Sequence, residues 1–473
     1  MTPTSDVNRG DWLTALAAFA FVLVTRANGE FLVLVAIFVV IFVVVIFYIF
    51  AMRKMQMRQG VALLILVVLI FGAANSWRAR QELRDVTTGS YAGIAKVMSD
   101  PRNVGYATRI VLEIERDRFV VYAYGSPAWR LAGARVGEQV FVRGYREEFE
   151  PGKESFWISQ HVKGRFQVAS VAEQRFAASP LLRSAQRVRD LVSTSASSFN
   201  FDERNLFTGL VIGDDSKQSE EMISAFRKSG LAHLVAVSGQ NVAFVLAGLS
   251  PLLRRLNRRW RTLMTILILV WFVVITRIEP SVVRAALMAG AAYLSVAMGR
   301  PTRTLRLIAL TVFAAIAVDP LLAWSVGYFM SVGATLGLCL GAEKLEKIIR
   351  GPQWLARLLS ATLSAQFGVI PVVVFVFGVP SVFGIVANVL AVPIAGLVML
   401  IGLPLGLFAG VIENLGRSEF ATVLMWPVQV GVRWVWWVAE IFARLNVSPV
   451  FNLGLWIAVL VVLLALRHRS ARV

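Results

Sequence analysis

Long uninterrupted apolar runs flank one extended polar stretch. Three runs open the chain, Trp12–Thr25, Phe31–Met52 and Val61–Ala74, and apolar sequence resumes from Leu231 to Leu466. Crossing the hydrocarbon core takes about 20 apolar residues, and Phe31–Met52 is that long without a charge, a proline or a glycine. The pattern predicts a polytopic α-helical membrane protein. Trp12–Thr25 follows little positive charge and no small-residue cleavage site precedes the next run, so it reads as a membrane segment rather than a cleaved leader. Val382–Ile412 is broken by Pro393 and Pro404. It admits one kinked helix, two short crossings or a re-entrant pair.

The polar stretch, from about Asn75 to Gly230, carries two patterns. Its first part alternates with period two. In "TRIVLEIE", Thr108 to Glu115, the residues Ile110, Leu112 and Ile114 share one face, and Arg109, Glu113 and Glu115 the other. "RFVVYAYG" (118–125), "EQVFVRGY" (138–145) and the further candidate "SFWISQHV" (155–162) follow, with Gly and Pro between them. Short strands at this spacing predict a small β-barrel. From about Ser179 to Phe226 the pattern becomes helical and amphipathic, suited to a membrane surface. The expected organisation is an N-terminal transmembrane segment (1–75), an external β-domain (76–170), an external amphipathic helical linker (171–230) and a transmembrane bundle (231–473).

Composition sharpens this. The chain of 473 residues is 57% hydrophobic with a mean hydropathy of +0.67, which excludes an ordinary soluble enzyme. Its net charge of +19 admits two readings, the basic cytoplasmic loops of a membrane protein and a polyanionic ligand. The location of the charges favours the first in part. "RKMQMRQ" (53–59), "RRLNRRWR" (254–261), "GRPTRTLR" (299–306) and the tail "RHRSARV" (467–473) all fall between or after apolar runs. Placing them in the cytoplasm puts residues 76–230 outside. Cys339 is the one cysteine, so an intrachain disulfide is impossible and a cysteine-ligated metal site is not expected.

Candidate chemistry starts in "LAHLVAVSGQNVAF", residues 231–244, where His233, Ser238, Gln240 and Asn241 interrupt an apolar run. A polar group facing lipid costs several kcal/mol if unpaired, so these groups face the bundle interior or a wet cavity. Interhelical hydrogen bonding and a translocation path both account for them. Arg284 sits one turn beyond Pro280 before an apolar run, where it suits a phosphate, a pair with Glu279 or an interfacial position. Gln366 and Asn388 are isolated amides near Pro371 and Pro393; helix repair and pore lining both fit. Asp214 and Asp215 are explained by an N-cap and an acidic first turn, ahead of a divalent-metal site, and Tyr328, Met330 and Ser331 by helix packing. In the β-region Arg109, Arg130, Arg135, Arg143 and Arg146 mingle with Tyr106, Tyr122, Tyr124, Trp129, Tyr145 and Trp157. Arginines among aromatics suit single-stranded nucleic acid, but the residues by themselves favour a solvated surface over an ordinary aromatic core. No serine-hydrolase signature, nucleotide-binding loop or metal motif is present in the sequence, so neither a catalytic residue nor a cofactor is predicted.

"LFTGLVIGDDSKQSEEMISAFRKSGLAHLVAVSGQNVAFV" (206–245) resembles the signature of the ComEC competence DNA-channel family. "EPSVVRAALMA", "VGYFMSVGATLGL", "SAQFGVIPVVVFVFG" and "VANVLAVPIAG" resemble further family elements in the family's order, and the region around "GARVGEQVFVRGY" resembles its OB-like external domain. The resemblance implies an inner-membrane channel for single-stranded DNA, with His233, Ser238, Gln240, Asn241, Arg284, Gln366 and Asn388 as path residues and the barrel arginines as external contacts. It also implies an external DNA receptor, a separate nuclease and a cytoplasmic helicase-like motor as partners. Asn241 stands where the family has His. The His-rich metal motif of the metallo-β-lactamase-like domain that ends many members cannot be built from the three histidines His161, His233 and His468. The rival readings are a secondary transporter, which predicts internal repeats, and a membrane enzyme on lipid-linked or cell-wall substrates, which predicts clustered acids in the bundle.

Overall fold

The computed structural model describes residues 9–26, 68, 70–82, 86–149, 155–176, 179–235, 239–297, 303–445 and 447–470. The expected span Phe31–Met52, the loop 53–59 and most of Val61–Ala74 lie outside them. The chain divides into two compact units, Met1–Ala178 with Ala291–Tyr328, and Ser179–Gly290 with Phe329–Val473.

The first unit joins three helices to a barrel. The barrel strands are β1 (Gly89–Val97), β2 (Arg102–Val104), β3 (Ala107–Ile114), β4 (Asp117–Ala123), β5 (Gln139–Glu148) and β6 (Val162–Phe176). The sheet closes because β1 pairs with both β5 and β3, while β6 bridges β5 and β4. Every pairing is antiparallel except β4 with β6. The short β2 only extends β3, so five strands make an OB-like closed barrel. The predicted alternation is what fills it: Ile110, Leu112, Ile114, Phe119, Val121, Val140, Val142 and Phe166 form the core.

Two local features depart from the sequence reading. A helix, α3 (Gly125–Ala132), lies between β4 and β5, and buries Leu131 in the barrel core. The segment expected as a strand at 155–162 is instead a helical turn, α4 (Ser155–Ile158), and pairing begins only at Val162. The backbone N–H groups of Gln160 and His161 bond back to Trp157 and Ile158, which closes the turn. Trp157 is buried beside Val111, Val120 and Val162, with the Arg109 guanidinium over its ring. One-sided packing of a turn thus mimicked strand alternation.

Below the barrel stand α1 (Arg9–Arg26), α2 (residues 70–82) and α12 (Thr304–Val318), followed by a 3-10 turn at Pro320–Trp324. Fully buried Asp11, at the start of α1, holds Arg303 and Arg306 at the start of α12, each at 3.0 Å. Further along, Phe21 meets Phe313, so α1 and α12 run in the same direction. At the far end Asn75 and Arg78 of α2 donate to the carbonyls of Ile316 and Ala317. These are orphan carbonyls of the last helical turn.

The second unit is helical: α5 (Pro180–Ser195), α6 (Phe201–Ile212), α7 (Glu220–Lys228), α8 (Ala232–Val235), α9 (Gly239–Leu253), α10 (Arg258–Ile275), α11 (Pro280–Ala297), α13 (Val326–Ile348), α14 (Gln353–Phe377), α15 (Gly384–Asn414), α16 (Ser418–Arg444) and α17 (Pro449–Ser470). Among the described residues four helical segments are long and apolar enough to cross a membrane: α13, α14, α15 and Pro449–Leu466 of α17. The proline-interrupted run is therefore one helix, α15, containing both Pro393 and Pro404. Near Pro393 the Leu390 carbonyl accepts from the Trp434 indole at 3.0 Å, which ties α15 to α16.

The main apolar core of this unit joins α5–α8 to α15 and α16. Helix α6 is buried along nearly its whole length, because Phe207 and Val211 pack under Gly402, and Val192 of α5 under Gly406. Inside this core Arg189 meets Asp214 at 3.0 Å and the carbonyls of Ile212 and Ile275. Glu203 accepts from Gln429 at 2.8 Å and Arg433 at 2.7 Å. Burial alone would raise both carboxyls. Arg189 and Ser216 hold Asp214 below its ordinary value, and Arg433 and Gln429 do the same for Glu203.

Candidate functional site

A second kind of packing links the helices that carry the predicted polar residues. Gly333, Gly337 and Gly341 of α13 recur at one-turn spacing and face Ser364 and Gly368 of α14. A Cβ placed on Gly337 would lie 2.0 Å from the Ser364 carbonyl oxygen, and one on Gly333 2.4 Å from that of Gly368. Only glycine permits such an approach, the small-residue contact that membrane helices use in place of hydrophobic driving force. A similar contact joins Gly230, just before α8, to Gly384 at the start of α15, where an added Cβ would meet backbone at 2.9 Å. Gly230 has a φ of +76°, which a side chain would resist.

The polar side chains cluster at these junctions. Arg284 of α11 is buried, and its guanidinium donates to Ser331 and, at 3.2 Å, to Thr335 of α13. Beside it Gly239 of α9 sits against Ala285 and Arg284 itself. Gln366 of α14 reaches Gly384, and Asn388 of α15 donates to the Gly384 carbonyl at 2.6 Å. His233 bonds to the backbone of Gly230, the other half of the same junction. The Gln366 Oε1 is buried without a hydrogen-bond partner among the described residues.

Taken in turn, these contacts make a closed circuit: the Gly230–His233 segment to α15, α15 to α14, α14 to α13, α13 to α11, α11 to α9, and through the chain back to α8. His233, Gln366 and Asn388 share one junction, and Arg284 stands at another. Asn241 is not among them. It is buried and donates to the Leu210 carbonyl at 2.9 Å, tying α9 to the end of α6. Ser238 and the Gln240 side chain lie outside the described residues. Sequence reasoning missed Thr335 as the partner of Arg284 and the glycine junctions; the four-residue spacing of Gly333, Gly337 and Gly341 was the available signal. Ser331, read as packing between helices, is the hydroxyl that accepts from Arg284.

At the mouth of α11 the chain turns through Arg277 and Ile278, both with positive φ, 61° and 58°. A β-branched residue there is strained. Glu279 follows. Burial and the neighbouring Asp215 carboxylate push its carboxyl up to about 7, so this turn carries a carboxyl that titrates near neutrality.

The barrel arginines separate into distinct roles. Arg146 is buried in an ion pair with Glu115 at 2.8 Å and lies over the Tyr91 ring. Arg130 donates to the Val171 carbonyl, and Arg109 covers Trp157. Arg135 and Arg143 are exposed, as are Tyr106, Tyr124, Trp129 and Tyr145.

A family model described as Competence protein matches residues 210–469. The chain is 27% identical over 236 residues to ComE operon protein 3 of Bacillus subtilis, a match that covers 49% of this chain and 30% of that protein. It is 24% identical over 370 residues to the uncharacterized protein YcaI of Escherichia coli, covering 71% of this chain and 47% of that protein. The chain thus spans less than half the length of either relative. No solved structure matches significantly. The family match takes in α9–α11, α13–α15 and the polar junctions between them, and by it the chain belongs to the competence protein family.

Proposed function

We propose that this protein is a bacterial inner-membrane channel that passes single-stranded DNA into the cytoplasm during natural transformation. The observation that carries the reading is the circuit of helices joined at glycine contacts, with His233, Arg284, Gln366 and Asn388 at the junctions. A strand of DNA presents uncharged bases and charged phosphates, so its path needs sparse polar or basic groups in a narrow, partly apolar tube. Arg284 offers the cationic point and the amides offer neutral hydrogen bonds. Membership of the competence family and likeness to ComE operon protein 3 support this reading over a solute transporter or an enzyme.

In the proposed orientation the barrel and residues 76–230 face outward, and the C-terminus lies in the cytoplasm. The parallel course of α1 and α12 supports it. Asp11 gathers the basic start of α12 at one end, while Asn75 and Arg78 lead toward the barrel at the other. The exposed Arg135 and Arg143, with Tyr145 and Trp129, are the barrel's contacts for incoming DNA. An external receptor delivers the DNA, a separate nuclease supplies the single strand and a cytoplasmic helicase-like motor draws it in.

The test is transformation of a naturally competent host. Deleting the gene abolishes transformation, and alanine at His233, Gln240 and Asn241 lowers it at unchanged protein level. Unimpaired transformation after deletion overturns the DNA reading. A normal frequency in the triple variant overturns the path role of this segment.

A further inference from the structure

A node in the first unit has no part in the proposed path. His161 stands where the turn after α4 meets β6. Its Nδ1 lies 2.5 Å from Glu82 Oε1 at the end of α2. Its Nε2 lies 3.1 Å from Asp319 Oδ2, between α12 and the 3-10 turn. One imidazole thus touches the barrel's chain and two membrane-proximal helices that are distant in sequence.

The geometry fixes the protonation state. A neutral imidazole has one N–H and one bare nitrogen, and a bare nitrogen facing a carboxylate sets lone pair against lone pair. With a carboxylate at each nitrogen, only the imidazolium satisfies both. The hydrogen bonds to Asp319 and Glu82 outweigh burial and push the His161 pKa up to about 9. The bond from His161 likewise holds the Glu82 carboxyl below its ordinary value despite burial. Lys163 contributes to the field at Glu82 and is itself paired with Asp117 at 2.8 Å. The backbone gives a second, independent sign. His161 has a φ of +59°, a left-handed conformation in which glycine is the easy choice. A histidine held there is explained by what its side chain joins.

We propose that His161 is a positioning residue: its imidazolium, shared between Glu82 and Asp319, locks the β-barrel onto α2 and α12 and fixes the angle at which the barrel stands over those helices. Beyond this node, the packing of α4 on the 3-10 turn is the neighbouring contact on that side. The lock goes beyond the channel reading and does not depend on DNA.

Spin labels on the exposed positions Tyr106 and Trp77, in a Cys339→Ser background in lipid nanodiscs, report the barrel-to-helix distance. The otherwise unaltered protein gives one narrow distribution at neutral pH, and raising the pH through about 9 broadens it. His161→Gln broadens it roughly twofold at neutral pH and removes the alkaline step. Glu82→Gln and Asp319→Asn, which leave His161 in place, each broaden it less. In parallel, the 15N resonances of His161, assigned by their loss in His161→Gln, show both ring nitrogens protonated at neutral pH. A narrow distribution in all three variants overturns the lock, and so does a His161 ring that is neutral at neutral pH.

Discussion

Two regions of the helical unit hold together by opposite means. The block of α5–α8, α15 and α16 is filled with interlocking apolar side chains around α6, and its charges, Arg189 with Asp214 and Glu203 with Arg433, are matched in place. The circuit through α9, α11, α13, α14 and α15 touches mainly through glycine, serine and alanine, and α13 and α14 bury few residues. The block is a fixed frame, since parting it would expose large apolar side chains and unpair charges. The circuit can part at modest cost, since small residues lose little contact area and each polar link contributes only about 1 kcal/mol. The proposed channel would need both: a frame that stays and a ring that yields.

The comparison is broken most severely by emptying the frame. Phe207 is fully buried, edge-on to Phe199 and beneath Gly402 and Gly406. Phe207→Ala is expected to cost about 3–5 kcal/mol, seen as a lower denaturation midpoint in detergent and less protein in the membrane. DNA uptake should fall only in proportion to protein amount. A fall in uptake per molecule would move Phe207 from frame to path.

Overfilling the circuit comes next. Gly337→Val places a side chain where backbone already stands 2.0 Å from its Cβ, so α13 and α14 must separate, at a cost of about 1–3 kcal/mol. Here uptake should fall further than protein level, because the separation deforms the ring itself. Acid distinguishes the two regions without mutation. Asp214 and Glu203 titrate below their ordinary values in the folded protein. The stability they contribute is therefore present above about pH 4.5 and lost as pH falls through their depressed folded values. Acid unfolding of the block should accordingly lose its steepness below about pH 4 in Arg189→Met, which removes the partner of Asp214.

Arg284→Met should leave the fold largely intact, because Thr335 also donates to the Ser331 carbonyl at 2.8 Å within α13. Uptake per molecule should nonetheless drop about tenfold, the effect of about 1.4 kcal/mol on a barrier. Arg284→Lys should restore part of it if the charge faces the path. Uptake equal to the unaltered protein in Arg284→Met would reduce Arg284 to a pin between α11 and α13.

How far each region could be read from sequence follows from the same contrast. The barrel was legible because its core alternates strictly, with Ile110, Leu112 and Ile114 inside, and because tight turns punctuate its strands. The segment at 155–162 misled because Trp157 packs on one side of a helical turn and imitates a strand face. Residues from about Ser179 to Phe226 read as amphipathic by their pattern, but a one-dimensional pattern does not say that α15 supplies the apolar partner. That partner lies some 200 residues on, and its proline-broken run looked divisible until the helix was seen whole. The polar candidates were identified as residues that must face inward, and the structure gathers His233, Gln366 and Asn388 at one junction while turning Asn241 toward α6. What pattern cannot supply is partner choice. Arg284 was weighed against Glu279, five residues before it, whereas the hydroxyls that receive it are on α13.

The smallest expected effect separates frame from ring most sharply. Gln366 approaches Gly384 with its Nε2, and its Oε1 is buried with no hydrogen-bond partner among the described residues. An unsatisfied buried acceptor costs about 1–3 kcal/mol, so a residue selected for stability alone would not be an amide. Gln366→Leu should therefore leave the denaturation midpoint unchanged or raise it slightly. Stability and function then part company: if the amide is kept for passing polar cargo, the more stable variant transforms less well at equal protein level. If Gln366→Leu transforms normally, the amide is a tolerated defect and the junction at Gly384 is packing alone. A stabilised and impaired variant would show that this ring, unlike the block beside it, is held below its best packing by what has to move through it.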